Sequence, residues 1–185
     1  MTAVLTMMEG CTSVIEWPVI VRDHGPIVWK TAYRLLGREA DVADCFQETF
    51  LSAMKVAGRQ NVENWPGLLQ RLATARALDQ LRRRMREAHR RASDVTWEQM
   101  ATSDRGPVEA AQENDLGDRL RAALCELAPQ QSAVFCLRCL SELSYEEIAS
   151  ELGLSIDVVG VTLHRARARL QELLGPDTRR EEKRR

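Results

Sequence analysis

The chemistry this chain can offer is recognition of phosphate rather than bond-making. Eight arginines lie between Arg71 and Arg91, against only Asp79 and Glu87. On a helix, consecutive Arg82, Arg83 and Arg84 fan over about 200° at about 100° per residue. The few local carboxylates cannot pair them all, so they repel one another unless phosphate or solvent intervenes. A solvated charged face is one reading; a helix that contacts phosphate is the favoured one. A second basic group, Arg165, Arg167 and Arg169, closes the C-terminal half. No pattern of reactive residues competes with these. His24, His89 and His164 are scattered, there is no phosphate-cradling glycine loop, and no Ser/His/Asp order or dense ligand cluster is present. The expectation is a protein without catalytic activity, cofactor or metal. Cys136 and Cys139 form a CxxC, but inside an expected helix and without a second ligand pair. Together with Cys11, Cys45 and Cys125 they read as small buried hydrophobes. A redox or zinc sensor built on Cys136, Cys139 and Cys125 is the minor alternative.

The elements that must position these arginines are helical. Aromatic residues are 5% of the chain, and Ala, Leu, Arg and Glu dominate, which favours helices over sheet. The clearest stretch is Ser144 to Arg169, with the grammar of a helix-turn-helix. Ser144 and Glu147 fit a capping box. Tyr145, Ile148, Ala149 and Leu152 recur at helical spacing, and Gly153 sits where a left-handed residue ends a helix. Leu154 fills the corner. Ser155 can cap a second helix with an inner stripe of Val159, Leu163, Ala166 and Leu170. A small residue, then glycine, then a branched apolar residue at the spacing of Ala149, Gly153 and Val159 is what a tight crossing of two helices needs. An ordinary helical hairpin would share these features. The arginines that follow on the same helix favour DNA binding.

Upstream, a first helix is expected over part of Val14 to His24, with Gly25-Pro26 as punctuation, then a helix over Ile27 to Leu36 ended by Gly37. Ala40 to Ala57 is strongly amphipathic: Val42, Cys45, Phe46, Thr49, Phe50, Ala53, Met54 and Ala57 share one face. Asp41, Asp44, Gln47, Glu48 and Lys55 lie opposite, with Leu51 among them. Leu51 is either a stray exposed apolar residue or the centre of a docking surface with a charged rim. Gly58 to Gly67 reads as a loop. Its Trp65 can pack on the core, the favoured reading, or offer a stacking face to an unpaired base. A long helix follows from Leu68 to about Ala88.

Net charge is −1, so charge marks a nucleic-acid binder only through its distribution. Ala92 to Asp118 carries seven acids against Arg105. With Gly106-Pro107 and no sustained periodicity, Ser93 to Asn114 reads as a linker, with Trp97 and Met100 as a short docked turn. A second helical unit starts at Asp118, with Pro129 at the first turn of a helix to Leu140. The fold class expected is all-α: two small helical domains joined by a flexible linker. The divisions are 1–20 (N-terminal extension), 21–91 (first domain), 92–117 (linker), 118–175 (helix-turn-helix domain) and 176–185 (tail). No apolar run approaches the roughly 20 residues of a membrane span. The N-terminus lacks a basic n-region and a clean apolar h-region, so no membrane insertion and a cytoplasmic location are expected.

The combination of DCFQETFL, a tryptophan loop, LLQRLATARALDQLRRR, an acidic linker and LRAALCELAPQQSAVFCLRCLSELSYEEIASELGL with a closing LHRARARL resembles a sigma-70-family RNA polymerase sigma factor of the two-domain, extracytoplasmic-function type. The resemblance spans about Val21 to Leu174. It implies that Asp41, Asp44, Gln47, Glu48 and Leu51 dock on the clamp coiled coil of core RNA polymerase. It implies that Asn61, Asn64, Trp65, Arg71, Arg76, Gln80, Arg82 and Arg83 bind and melt the minus-ten promoter element. It places Ser144, Tyr145, Ser155, Asp157, Gly160, Val161, Thr162, His164 and Arg165 at the minus-thirty-five element, and it implies an anti-sigma factor as a further partner of a chain that binds promoter DNA. The sequence departs from the family pattern in several places. The asparagine often found shortly before the alanine-leucine pair falls on Ala75. The second aromatic of the usual pair is Leu68. The arginine expected after the ELAP turn is Ser132. The basic residues that usually flank a small one on the recognition helix are replaced by Gly160, Val161 and Thr162, which reduces the base-edge donors to His164, Arg165 and Thr162, with Asp157 near the N-terminus. Direct reading of the minus-thirty-five element is then weak, altered or replaced by shape reading. A stand-alone helix-turn-helix regulator, independent of polymerase, is the alternative function.

Overall fold

The computed structural model describes residues 15–94 and 108–175. Cys11, Trp97, Met100, residues 1–14 and 95–107, and the tail 176–185 lie outside the described residues. Among the described residues seven helices run in order: α1 (Trp17–Leu36), α2 (Glu39–Ala57), α3 (Trp65–Asp94), α4 (Val108–Glu126), α5 (Pro129–Cys139), α6 (Tyr145–Leu152) and α7 (Ile156–Leu174). Among the described residues there is no strand.

The first three helices pack on one another around Val28, Phe50, Ala53, Leu69 and Ala73, with Phe46 and Trp65 at the margin. Of the stripe read on α2, Val42, Cys45, Thr49, Phe50 and Ala53 are buried, whereas Met54, read on the same face, is 44% exposed. Gly25-Pro26 does not break α1, contrary to its expected role as punctuation. Gly25 is buried and serves close approach: a Cβ there would meet the Phe46 ring at 3.4 Å. Pro26 forfeits one backbone bond, and the buried row Val28, Ala32, Leu35 and Leu36 holds the helix together past it. Gly37, at φ 72°, ends α1 with its N–H on the Tyr33 carbonyl.

Helices α5, α6 and α7 close a second core of Val134, Leu137, Leu143, Ile148, Ala149, Val159 and Leu163. Helix α4 starts at Val108, well inside the stretch expected as linker. Its far end, Ala123, Leu124 and Leu127, joins a third buried cluster with Ala32, Leu35, Leu36, Leu78 and Leu81 from the first unit and Cys136, Ala166 and Leu170 from the second. The two units therefore share a core across their boundary.

Candidate polymerase and nucleic-acid interfaces

On α2 the outward face carries exposed Asp44, Gln47 and Glu48. Leu51 stands among them at 57% exposure, with Met54 beside it at 44%. An apolar centre of this size inside an acidic rim is costly to leave in water and suits a partner with basic edges. Asp41 is set apart from this face. It is half-buried and its carboxylate accepts from Arg84 Nη1 at 2.8 Å, which ties α2 to α3.

On α3 the arginine triplet does not form one surface, because 100° per residue sends its members to different neighbours. Arg83 points to solvent and pairs with Glu87 at 3.1 Å on its own helix. Arg84 holds Asp41. Arg82, expected at DNA, is turned inward instead: its side chain is 19% exposed and Nη2 donates to Ser132 Oγ at 2.6 Å. Arg76 is exposed and donates to Ser52 at 3.0 Å, and Gln80 is half-buried. Asn61 is exposed. Asn64 accepts the Gly67 N–H at 3.1 Å as the cap of α3. Trp65 packs edge-on to Trp17 with centroids 5.5 Å apart, the core role favoured from sequence. Arg71 borders an open cleft of about 300 Å³ with Lys55, Val56, Arg59 and Gln60. Its Nε donates to Glu151 of α6 at 3.2 Å.

The helix-turn-helix is built as its sequence requires. Ser144 Oγ accepts the Glu147 N–H at 3.1 Å while Glu147 accepts the Ser144 N–H at 2.7 Å. Gly153 sits at φ 64°, and Ser155 caps α7 through the Val158 N–H. Ser144 and Ser155 are thus engaged at helix ends. Tyr145 is half-buried under the Arg138 guanidinium, 5.8 Å from the ring centroid. Thr162, expected as a base-edge donor, lies on the inner side of α7 at 9% exposure with Val159, Leu163, Ala166 and Leu170. The outer side presents Asp157, Val161, His164 and Arg165. Three branched apolar residues dominate it: Ile156 (48% exposed), Val158 (42%) and Val161 (51%). Val158 was not singled out from sequence, since alternate valines read equally well as core. Glu151 and Ser132 were also missed as partners of the basic helix. Only the presence of Ser132 where a cation is usual pointed their way.

The CxxC does not converge. Cys136 is buried, and burial pushes its thiol up to about 12; Cys139 is exposed. Burial likewise raises Cys45 to about 11 and lifts Cys125. Among the described residues no group of three or more His, Cys, Asp or Glu is arranged to hold a metal ion. No helix there is long and apolar enough to cross a membrane.

A three-helix unit followed by a capped helix-turn-helix, each with basic outward residues, defines a DNA-binding class of helical protein. Two family models match within it: sigma-70 region 2 over residues 20–87 and sigma-70 region 4 over residues 117–170. The chain is 34% identical over 167 residues to the RNA polymerase sigma-E factor of Streptomyces coelicolor, covering 87% of each. It is 32% identical over 173 residues to the ECF RNA polymerase sigma factor SigE of Mycolicibacterium smegmatis, covering 94% of this chain and 67% of that one. Among solved structures it is similar to the sigma factor RpoE in complex with the anti-sigma factor NepR from Bartonella quintana, with a TM-score of 0.53, 25% identity, and coverage of 89% of this chain and 99% of that one. The chain belongs to the sigma-70 family, as an RNA polymerase sigma factor of the extracytoplasmic-function type. A stand-alone regulator leaves the region 2 match without an account.

Proposed function

We infer that this chain docks core RNA polymerase through Asp44, Gln47, Glu48 and Leu51, opens minus-ten DNA with the outward residues of α3, and places the complex through α7. The observation that carries the docking surface is Leu51, an exposed leucine in an acidic rim on a helix whose opposite face is buried. The work is done by binding alone, in the cytoplasm, and an anti-sigma factor is the partner that would restrain it. At the upstream element, α7 turns exposed Val158 and Val161 outward, and Gly160 and Thr162 stand where basic residues would otherwise donate to bases. Branched apolar side chains in a major groove contact the C5-methyl of thymine. The surface of α7 therefore suits thymine-bearing steps, with Arg165 and His164 placed for phosphate or a flanking base. The test is gel filtration with core polymerase. The native chain is expected to co-elute with core, and the pair Asp44→Lys, Glu48→Lys to elute free. Failure of the native chain to form a complex would overturn the reading.

A further inference from the structure

The face of α3 that is to meet open DNA is occupied by the chain itself. Glu151, on the outer side of α6, is 11% exposed and accepts from Arg71 Nε at 3.2 Å and from Asn64 Nδ2 at 3.3 Å. Gly67 makes the room: a Cβ there would fall 2.5 Å from Glu151 Oε1 and 2.2 Å from Asn64 Nδ2. A carboxylate in a notch formed by an arginine, an amide and a bare helical turn occupies the place a nucleic-acid phosphate would take, with the same two donors. Around this contact the closure is continuous. Arg82 holds Ser132, Arg34 donates to the Leu140 carbonyl, and Arg121 reaches the Leu35 carbonyl at 2.9 Å across Gly37. Beneath these lies the shared apolar cluster. Ser132 is fully buried; a long cation there would confront the Arg82 guanidinium, so this chain's own departure at that position permits the closed packing.

Distance decides what the closed form can do. Promoter elements 25 base pairs apart are separated by about 85 Å at about 3.4 Å per pair, whereas Arg71 and Glu151 of the helix-turn-helix touch at 3.2 Å. One rigid body of this shape cannot sit on both elements. Resting on the promoter-binding reading above, we propose that Glu151 is an internal latch: it takes the place of a DNA phosphate at Asn64, Gly67 and Arg71 and holds the helix-turn-helix unit over the DNA-opening face until the chain is opened.

Two readouts on the full chain test this. Small-angle scattering reports closure: a compact chain of 185 residues has a radius of gyration of about 16 Å. Binding of a fluorescein-labelled, randomised single-stranded DNA 20-mer reports access to α3. Glu151→Lys places a cation before Arg71. Glu151→Ala removes the carboxylate and leaves Asn64, Gly67 and Arg71 in place to receive a phosphate. Both are expected to enlarge the radius and to bind the single strand at least tenfold tighter than the native chain, and adding Arg71→Ala is expected to abolish the gain. An unchanged radius in both variants overturns the latch. A larger radius with unchanged binding overturns the masking of the DNA site. A gain that survives Arg71→Ala counts instead against the assignment of Arg71 to DNA, so the two readings fail separately.

Discussion

Gly160→Ala isolates the energetics of the recognition helix. Gly160 is the fifth residue of α7, inside the helix and without positive φ. Glycine there gives up more backbone freedom on folding than alanine does, a cost of about 0.8–1 kcal/mol. The substitution succeeds only if the corner has space. A Cβ on Gly160 would lie 3.7 Å from the Tyr145 ring, an ordinary contact distance, with no other neighbour within 4 Å. The new contact adds a few tenths of a kcal/mol at most. The variant is therefore expected to be more stable by about 1 kcal/mol, which raises Tm by about 2–4 °C for a chain of this size. Thermal unfolding followed by far-ultraviolet circular dichroism reads it. The methyl faces Tyr145, so Val158 and Val161 keep their positions. A lowered Tm would refute the reasoning, because it would mean that the crossing of α6 and α7 is already closed against Tyr145.

The thymine-methyl reading predicts that holoenzyme bound to an upstream element selected from random duplex loses affinity when thymines facing α7 are replaced by deoxyuridine. Loss of one methyl contact is worth about 0.8 kcal/mol, about fourfold, and Val161→Ala should erase the difference between the two DNAs. Thiol labelling gives a second check. Maleimide at neutral pH should modify exposed Cys139 and spare Cys45 and Cys136 until the chain unfolds. Burial lifts those two thiols from an ordinary value of 9.0 to about 11 and about 12. A raised thiol value means that the folded state favours the proton-bound form. The contribution to stability is complete below about pH 9 and is lost as pH rises toward 11–12. Labelling of Cys136 at pH 8 in a folded chain would contradict its burial.

The capping box, the glycine turn and the inner stripe of α7 were legible because local patterns decide them: a serine three residues before a glutamate, a glycine at a left-handed position, apolar residues three and four apart. The acidic face of α2 was legible for the same reason. What the sequence did not show is long-range. Gly25-Pro26 resembles a stop because its two residues disfavour helix interiors, yet the Phe46 ring uses the space that glycine leaves. Thr162 is the exception, since local spacing decides it: three residues after Val159 and next to Leu163, it falls on the inner stripe of α7. Arg82 and Arg83 are neighbours of one chemistry, and only the placement of α5 sends the first to Ser132 and leaves the second in water. Val158 and Val159 are indistinguishable by type, and one faces solvent while the other has none.

The docking face bears on how a latched chain could be opened. Asp44, Glu48 and Leu51 are exposed while Glu151 still holds Arg71. A polymerase surface that touched only these residues would bind closed and open chains equally, and a ligand with equal affinity for two states shifts neither, however tightly it binds. Taking a closed chain from one part open in a hundred to ninety-nine needs about 10⁴-fold preference. Contacts supplying that preference must reach surfaces hidden in the closed form, such as the sides of Leu124, Leu127 and Leu170 that face α1 and α3. Leu51→Ala is then expected to weaken core binding by the same factor in the native chain and in Glu151→Ala, while Glu151→Ala alone tightens it, both read by fluorescence titration of labelled chain with core. Unequal losses on Leu51→Ala would mean that the docking helix itself senses closure, and Glu151 would no longer be separate from the polymerase contact.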